Sequence, residues 1–353
     1  MVRLAPSEHY RFAQSCPGSM DLTFGGAESS VAASISMLGG SSRFVSALPQ
    51  HAIADAFVRQ MRGFKVDVDH VLRREAGRFG IYYVETGANQ RPSRVIYDRD
   101  YSAVSICSGE EYDWDAIFAD AQWLHISGIT LAISETAAHA AILAAGKAQA
   151  AGVKVSCDLN FRKNLWRWRS GSDARSLARS VMPDFLEYVN VIIGNEEDAA
   201  DVLDIHAGDT DVHSGSLEIA HYPDVARQIA QRFNNVEQVA ITLRESISAT
   251  HNNWGAMLFD VSNDTAVFAP MNREQYEPFE IRNIVDRVGG GDSFAAGLIY
   301  AMTTKDFATA QDQVDFAVAA SCLAHSVKGD FNFTSRAEVE ALANGNASGR
   351  VQR

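Results

Sequence analysis

The sequence predicts an α/β fold in which a doubly wound, mostly parallel β-sheet carries helices on both faces and a small β-sheet forms a lid. Short apolar runs rich in β-branched residues alternate with helical patterns along most of the 353 residues. Two stretches, at about 6–24 and 78–106, contain strand patterns with no helix between them. Three consecutive glycines stand directly before a helical pattern near the C-terminus.

The alternating part of the chain supplies the elements of the main sheet. Predicted strands cover 43–48, 123–127, 153–158, 189–194, 238–243 and 256–261. Predicted helices between them cover 29–38, 53–61, 134–151, 174–182, 196–203 and 223–233, and two more follow at 292–302 and 311–327. Helical crossovers between strands are typical of a parallel sheet that is covered on both faces.

The stretches without helices predict a small β-subdomain inserted in the α/β body. Residues 78–85 (RFGIYYVE) and 94–99 (RVIYDR) are rich in Tyr, Val and Ile, which favour strands. Such an insertion can close over a pocket as a lid. The alternative is an antiparallel extension of the sheet that has no role in function.

Composition and charge exclude several classes of protein. Hydrophobic residues make up 46% and charged residues 21%, which is typical of a globular chain and fits one domain over 1–353. The net charge of -13 repels nucleic acids and anionic membranes. The four cysteines are too widely spaced for a zinc ribbon or a disulfide framework. Without an apolar run of membrane-spanning length or a signal-peptide core, we expect a cytoplasmic protein with no membrane or nucleic-acid partner.

The glycine-rich segment 286–294 (DRVGGGDSF) carries the most chemical information. Backbone N–H groups at the start of a helix, free of side chains, form an anion hole. Asp292 falls on the first turn, where the helix dipole favours its ionised form. An anion hole beside a carboxylate suits phosphoryl transfer to a hydroxyl group. The alternative is a plain loop with Asp292 as helix N-cap.

Two other glycine-rich schemes fit poorly. A Walker A motif needs Gly-Lys-Ser/Thr after the loop, where this chain has Asp292 and Ser293. A dinucleotide fingerprint needs a third glycine where Phe294 stands, and it follows an early strand.

Several segments resemble the ribokinase-like (PfkB) family of carbohydrate kinases. DRVGGGDSFAAG (286–297) is similar to the family signature DTTGAGDSF-x-AG, and GGAESSVAA (25–33) with LGG (38–40) is similar to the N-terminal signature. Further matching stretches are GIYYVETGANQRPSRVIYDR (80–99), WLHISGIT (123–130), DLNFRKNLW (158–166), GNEEDA (194–199) and KGDFNF (328–333). YDR and DLNFR are most similar to the branch of 2-keto-3-deoxygluconate kinases.

The resemblance implies a ribokinase-like fold with a β-sheet lid and a reaction that uses ATP and Mg²⁺. It implies phosphorylation of a sugar acid, 2-keto-3-deoxygluconate to its 6-phosphate, with Asp292 as base and an anion hole of Gly289, Gly290 and Gly291. The implied substrate-binding residues are Gly25, Gly26, Tyr82, Tyr97, Arg99, Asp158, Asn160 and Arg162. The implied nucleotide-binding residues are Asn195, Thr242, Arg244, Gly289 and Gly291, and Asn195 and Asp198 would meet the metal through water.

Arginine at positions 99 and 162 has a chemical reason in this setting. A keto acid carries a carboxylate, and the guanidinium fork binds a carboxylate with two parallel hydrogen bonds. Two arginines that face one pocket would select acids over neutral sugars, and the resemblance implies that Arg162 meets either the carboxylate or the phosphate. The alternative for Arg99 is an exposed surface charge, and the alternative for Tyr82 and Tyr97 is packing within the lid.

Other functions and several departures from the family pattern stay open. The alternatives are another sugar kinase of the family (a fructokinase or a 2-ketogluconate kinase), a catalytically silent sugar-binding protein and, at a distance, a nicotinamide dehydrogenase. One core strand expected before Met1 is missing from the pattern. Arg287 and Val288 replace the common Thr-Thr, which leaves activation by a monovalent cation open. Residues 243–254 form a longer connection than usual, and the lid edges favour a homodimer.

Overall fold

A central β-sheet and a separate small sheet form the framework of the protein. The computed structural model describes residues 1–195, 197–206 and 219–346. The first strands are β1 (Val2–Ala5), β2 (Asp21–Phe24), β3 (Ala47–Pro49), β4 (Leu72–Arg74), β5 (Ile81–Glu85), β6 (Arg94–Asp98), β7 (Trp123–Ser127) and β8 (Lys154–Asp158). The later strands are β9 (Val191–Asn195), β10 (Gln238–Ser248), β11 (His251–Asp260), β12 (Thr265–Ala269), β13 (Met271–Asn272), β14 (Gln275–Tyr276) and β15 (Phe279–Arg282).

The helices lie mostly where the sequence predicts them. The first six are α1 (Phe12–Ser15), α2 (Ala27–Met37), α3 (Ala52–Gly63), α4 (Trp114–Phe118), α5 (Gly128–Ala132) and α6 (Glu135–Ala150). They are followed by α7 (Ala174–Leu186), α8 (Asp198–Leu203), α9 (Tyr222–Arg232), α10 (Gly290–Thr303), α11 (Ala310–Ala324) and α12 (Arg336–Ala343). The predicted helix 196–203 is α8, and residue 196 lies outside the described residues.

The central sheet confirms the predicted α/β class. Its strand order is β12-β11-β10-β9-β8-β7, and β15 pairs with the other end of β11. The strands from β7 to β10 run parallel, whereas β11, β12 and β15 add an antiparallel margin. The carboxyl ends of parallel strands share one edge of a sheet, so β8 and β9 bring Asp158 and Asn195 to the same edge.

Alternating side chains on the middle strands explain why helices cover both faces. On β9, Val191 and Ile193 pack into a cluster with α10 and α11, while Ile192 packs into the larger cluster on the opposite face. All three are at most 2% exposed. Successive side chains of a strand point to opposite faces, so a strand that is apolar on both sides requires cover on both.

A second sheet, called the lid sheet below, consists of β2, β1, β5 and β6 in that order. β1 runs parallel to β5 and antiparallel to β2, and β5 and β6 form a hairpin. The sequence predicts these strands within 6–24 and 78–106. The sheet also includes β1, which precedes the first of those ranges. Residues 6–20 contain α1 and no strand.

The predicted strand 43–48 is wrong as part of the main sheet. Only Ala47–Pro49 forms a strand there, and it pairs with β4 in a separate two-stranded sheet. Arg43 makes an isolated bridge to Asp67. The apolar run at Phe44 and Val45 is explained by packing, because both side chains contact core clusters without joining a ladder.

One edge of the central sheet borders a cavity. Among the described residues, β7 pairs only with β8. The cavity beside β7 has a volume of about 980 Å³ and is lined by α2, α6 and the segment 40–48 as well as by Trp123–Ile126. Across the described part of the chain, no helix has the length and apolar character needed to span a membrane.

Candidate active site

A cavity of about 440 Å³ lies between the lid sheet and the carboxyl edge of the central sheet. The glycine loop forms one side of it, and strands β8, β9 and β10 contribute the floor. It brings together most of the residues that the sequence predicts for the site: Gly26, Tyr82, Tyr97, Arg99, Asp158, Asn160, Arg162, Asn195, Asp198, Thr242, Arg244, Gly289, Gly290, Gly291 and Asp292. Gly25 lines the neighbouring cavity instead.

The glycine loop has the geometry of an anion hole. Gly289 is the N-cap of α10 in the left-handed region, with φ of 85°, and a Cβ atom there would lie 2.5 Å from the Asp330 carbonyl oxygen. Only glycine fits such a position. A Cβ atom on Gly291 would meet nothing closer than 3.8 Å, which leaves room for a ligand at the helix start. The Gly290 carbonyl accepts a hydrogen bond from Ser321 Oγ, 2.7 Å away, which holds the loop from behind.

Asp292 lies half-buried on the first turn of α10, next to this loop. Burial raises its pKa to about 7, with Asp330 and Glu28 adding to the rise and Arg162 opposing it. Burial and the nearby carboxylates thus oppose the ionised form that the helix start favours. A pKa near the working pH suits a general base. The N-cap alternative is wrong, since Gly289 holds that position.

Asp158 and Asp198 add buried carboxylates at the strand ends. Burial raises the pKa of Asp158 well above its usual range, and Asp198 and Asp292 raise it further. Asp198 accepts hydrogen bonds from the backbone amides of Phe161, at 3.0 Å, and Asn195, at 2.9 Å. It thus joins the ends of β8 and β9.

The acidic floor suits a divalent cation that is held mainly by phosphate and water. Arg162 is the cation that lowers the pKa of Asp158, Asp198 and Asp292. No cluster of three or more His, Cys, Asp or Glu residues in the described ranges could hold a metal ion alone. Mg²⁺ usually binds through one or two carboxylates together with substrate phosphates. This floor can provide the carboxylates.

Arg99 lines the cavity with a guanidinium that has two nitrogens without hydrogen-bond partners. Its Nε and Nη1 atoms are buried and have no hydrogen-bond partner. Burial lowers its pKa, and the carboxylate of Glu28 opposes that change. A buried cation without a hydrogen-bonded partner is costly, so an anionic ligand would satisfy it. The exposed-charge alternative for Arg99 is wrong.

Three other predicted substrate-binding residues, Asn160, Tyr82 and Gly25, differ in their contacts. Asn160 donates from Nδ2 to Ser127 Oγ at 3.2 Å, while its buried Oδ1 has no partner. Tyr82 lines the cavity, and its hydroxyl donates a hydrogen bond to Asp330. A Cβ atom on Gly25 would lie 1.8 Å from Asp330 Oδ2, so a protein carboxylate is the group that requires glycine there.

A search against protein-family models matches residues 15–336 to the pfkB family carbohydrate kinases. The chain belongs to the pfkB family of carbohydrate kinases. Thr242 and Arg244 on β10 and Asn195 on β9 line the same cavity.

Individual relatives match almost the whole chain. A curated 2-dehydro-3-deoxygalactonokinase of Haloferax volcanii is 29% identical over 99% of this chain and 96% of its own length. The crystal structure of a 2-dehydro-3-deoxygluconokinase of Thermotoga maritima is 41% identical, covers 98% of this chain and 96% of its own, and superposes with a TM-score of 0.86. A PfkB family carbohydrate kinase of Listeria grayi is 27% identical, with coverage of 98% and 97% and a TM-score of 0.83.

The cavity also contains two residues, Glu28 and Asp330, that the sequence analysis did not assign to the site. Glu28 accepts hydrogen bonds from Ser127 N, at 3.1 Å, and Thr130 Oγ1, at 2.6 Å, which fixes α2 against the end of β7. Asp330 contacts the lid and the glycine loop together. Glu28 directly follows the Gly-Gly-Ala segment and Asp330 lies in KGDFNF, so both stood in segments that already carried the resemblance.

The long connection at 243–254 is an extension of two strands. β10 continues to Ser248 and β11 begins at His251, so the segment forms an antiparallel hairpin. The amide of Ala249 at its tip donates to Asn89 O at 2.7 Å, which links the hairpin to the β5–β6 loop of the lid sheet. Ala249 and Asn252 line the cavity.

Proposed function

We propose that this protein transfers the γ-phosphoryl group of ATP to the 6-hydroxyl of a 2-keto-3-deoxy sugar acid. The observation that carries the proposal is the buried Arg99 guanidinium, which lacks hydrogen-bond partners at two nitrogens and faces the cavity of Asp292 and the glycine loop. A neutral sugar would leave that cation unpaired, whereas the substrate carboxylate pairs with it. The names of the two sugar-acid kinases among its relatives support the same substrate class.

The residues have distinct roles in this reaction. Arg99 and Arg162 bind the carboxylate and orient the far end of the acid over Asp292. The N–H groups of Gly290 and Gly291 face the phosphoryl group as it is transferred. Asp292 Oδ takes the proton of the 6-hydroxyl as the new O–P bond forms and the bond to the ADP oxygen breaks. Thr242, Arg244 and Asn195 bind the nucleotide.

ATP and Mg²⁺ are the cofactors of the proposed reaction. Bound Mg²⁺ would neutralise charge on the phosphates, with Asn195 and Asp198 reaching it through water. A monovalent cation is not needed in this proposal. Each oxygen of Asp286, at the loop where the sequence left that question open, already accepts two hydrogen bonds, from Arg3 Nη2 and the amides of Arg287, Val288 and Gly329. A kinase that draws on cellular ATP belongs in the cytoplasm.

A coupled assay of ADP release tests the proposal. The acceptors are 2-keto-3-deoxygluconate, its C4 epimer 2-keto-3-deoxygalactonate, 2-ketogluconate and fructose, each with Mg²⁺ and with and without K⁺. We expect kcat/KM to be at least tenfold higher for the 2-keto-3-deoxy acids than for fructose, because the Arg99 carboxylate contact contributes about 1.5–3 kcal/mol. Turnover of fructose alone would favour a fructokinase, and ATP-dependent activity on none of the acceptors would favour a silent sugar-binding protein.

A homodimer through the lid sheet completes the proposal. Leu22 on β2 is 50% exposed, and Val95 and Ile96 on β6 are 37% and 54% exposed. Both outer strands of this sheet have a free edge within the described residues. Apolar side chains beside free edges favour pairing with a second copy.

A further inference from the structure

Arg3 connects three separate parts of the chain. It lies on β1 of the lid sheet, where the residue is 2% exposed. Its Nη2 donates to Asp286 Oδ2 at 2.5 Å, and its Nη1 donates to Asp330 Oδ1 at 3.0 Å. Asp286 precedes the glycine loop, and Asp330 lies between α11 and α12. One guanidinium therefore joins the lid sheet to two loops of the body.

Asp286 and Asp330 both lie against the backbone that forms the anion hole. Asp286 Oδ1 accepts hydrogen bonds from the amides of Arg287, at 2.8 Å, and Val288, at 3.1 Å, and so sets the path of the backbone into Gly289. The backbone of Asp330 lies so close to Gly289 that a Cβ atom there would be 2.5 Å from the Asp330 carbonyl oxygen. A shift of either aspartate would move the loop that contacts the phosphate.

Burying the charges of Arg3, Asp286 and Asp330 costs desolvation free energy. Arg3 and the two aspartates are each at most 5% exposed, and Tyr82, opposite Arg3 in the β1–β5 register, adds its hydroxyl to Asp330. Buried ion clusters of this kind are commonly no more stabilising than apolar residues of the same volume, because desolvation offsets the Coulomb attraction. Stability alone is therefore a weak reason for this arrangement.

We propose that Arg3 is a positioning residue for phosphoryl transfer, which holds Asp286 and Asp330 so that the Gly289–Gly291 amides face the reacting phosphate. The kinetic part rests on the proposed kinase function. The structural part, that a lid residue sets the order of the glycine loop, does not depend on it.

Two substitutions and a matched control test the proposal. Arg3→Met removes the charge at similar length, and Arg3→Lys keeps one charge without the fork. Arg43→Met is the control, because Arg43 also joins two carboxylates, Asp67 at 2.7 Å and Asp120 at 2.9 Å, outside the active-site cavity. The measurements are hydrogen–deuterium exchange of the unliganded protein in peptides covering 286–291 and 328–331, and kcat and KM for ATP and the sugar acid.

For Arg3→Met we expect at least tenfold faster exchange in both peptides and a kcat lowered about 10²-fold, since a displacement of about 1 Å can cost that much. The KM values should change less than threefold. Arg3→Lys should recover part of kcat, and Arg43→Met should change neither kcat nor exchange in these peptides. Unchanged exchange together with unchanged kcat in folded Arg3→Met would overturn the proposal. If the wild-type protein phosphorylates no sugar acid, the exchange result still decides the structural part.

A triple variant covers the case in which Arg3→Met does not fold. Arg3→Met with Asp286→Asn and Asp330→Asn removes all the charges together, which leaves no unpaired ion and should keep Tm within a few degrees of wild type. We expect its kcat to remain at least tenfold low, because the fork that held the loops is gone. A wild-type kcat in this variant would show that charge balance alone mattered and would overturn the positioning role.

Discussion

Asp292 is the residue on which the proposed chemistry depends most. Asp292→Asn keeps the size of the side chain but cannot accept the proton of the sugar hydroxyl. We expect kcat to fall by about 10²–10⁴-fold, with little change in Kd for ATP or the sugar acid. Asp315→Asn is a matched control, because Asp315 is also a partly buried carboxyl with a raised pKa but lies on α11 outside the cavity. A near-normal kcat in Asp292→Asn would remove this residue from the mechanism.

The raised pKa of Asp292 also predicts how activity depends on pH. The base must be ionised to act, and in the free protein burial raises its pKa to about 7. We therefore expect kcat/KM to rise about tenfold per pH unit below pH 7 and to level off above it. The profile of Asp315→Asn should match that of wild type. A kcat/KM that stays constant between pH 5.5 and 8 would contradict the assignment of Asp292 as base.

Arg99 predicts selectivity for acids. Arg99→Met removes a charge-assisted contact worth about 1.5–3 kcal/mol, so KM for the sugar acid should rise roughly 10–150-fold while KM for ATP stays the same. Thermal stability should hold or improve, since the unliganded protein loses a buried cation that lacks partners at two nitrogens. Arg78→Met is the control, because Arg78 pairs with Asp98 and does not line the active-site cavity. Equal changes in both KM values would contradict the carboxylate role.

At the scale of elements, β7 offers a free edge, within the described residues, for an engineered extra strand. The cavity of about 980 Å³ lies beside this edge, between α2 and α6, and Met1 is at its rim. The Met1 amine donates to Gly25 O at 2.7 Å, and burial lowers its pKa to about 5. Fusing a short strand-forming segment of alternating Val and Thr ahead of Met1 should fill the cavity and replace the buried amine with an amide.

We expect that extension to raise Tm by several degrees relative to an equally long Gly-Ser extension, because each buried CH₂ contributes about 0.8 kcal/mol. The amine has a lower pKa folded than unfolded, so its neutral form favours folding only at high pH and stability is lost as pH falls from about 8 to 5. The gain in Tm over the unextended chain should therefore be larger at pH 6 than at pH 9. Equal Tm values for both extensions would contradict a strand-shaped cavity.

At the scale of the whole molecule, sequence patterns predicted the structure correctly where local propensity and the burial pattern indicate the same element. The β7–β10 ladder and most helices followed from period and composition, and the glycine loop with Asp292 followed from one segment. Three features did not follow. The run at 43–48 packs without pairing in the main sheet, and the raised pKa of Asp292 comes first from burial and then from Asp330 and Glu28, which are distant in sequence. The link from Arg3 to Asp330 joins residues 327 positions apart, and no local pattern encodes it.

Association through the lid sheet is the prediction that concerns the molecule as a whole. Ile96 is 54% exposed on β6, beside a free strand edge, and in a dimer it would be buried against the second copy. Ile96→Glu should convert a dimer to a monomer in light scattering coupled to gel filtration, because burying an unpaired carboxylate is costly. Ile53→Glu is the control, since Ile53 is 45% exposed but lies on α3. If the lid sheet needs its partner to stay ordered, KM for the sugar acid should rise in Ile96→Glu and not in Ile53→Glu. A wild-type monomer, or a dimer that Ile96→Glu leaves intact, would move the interface away from this sheet.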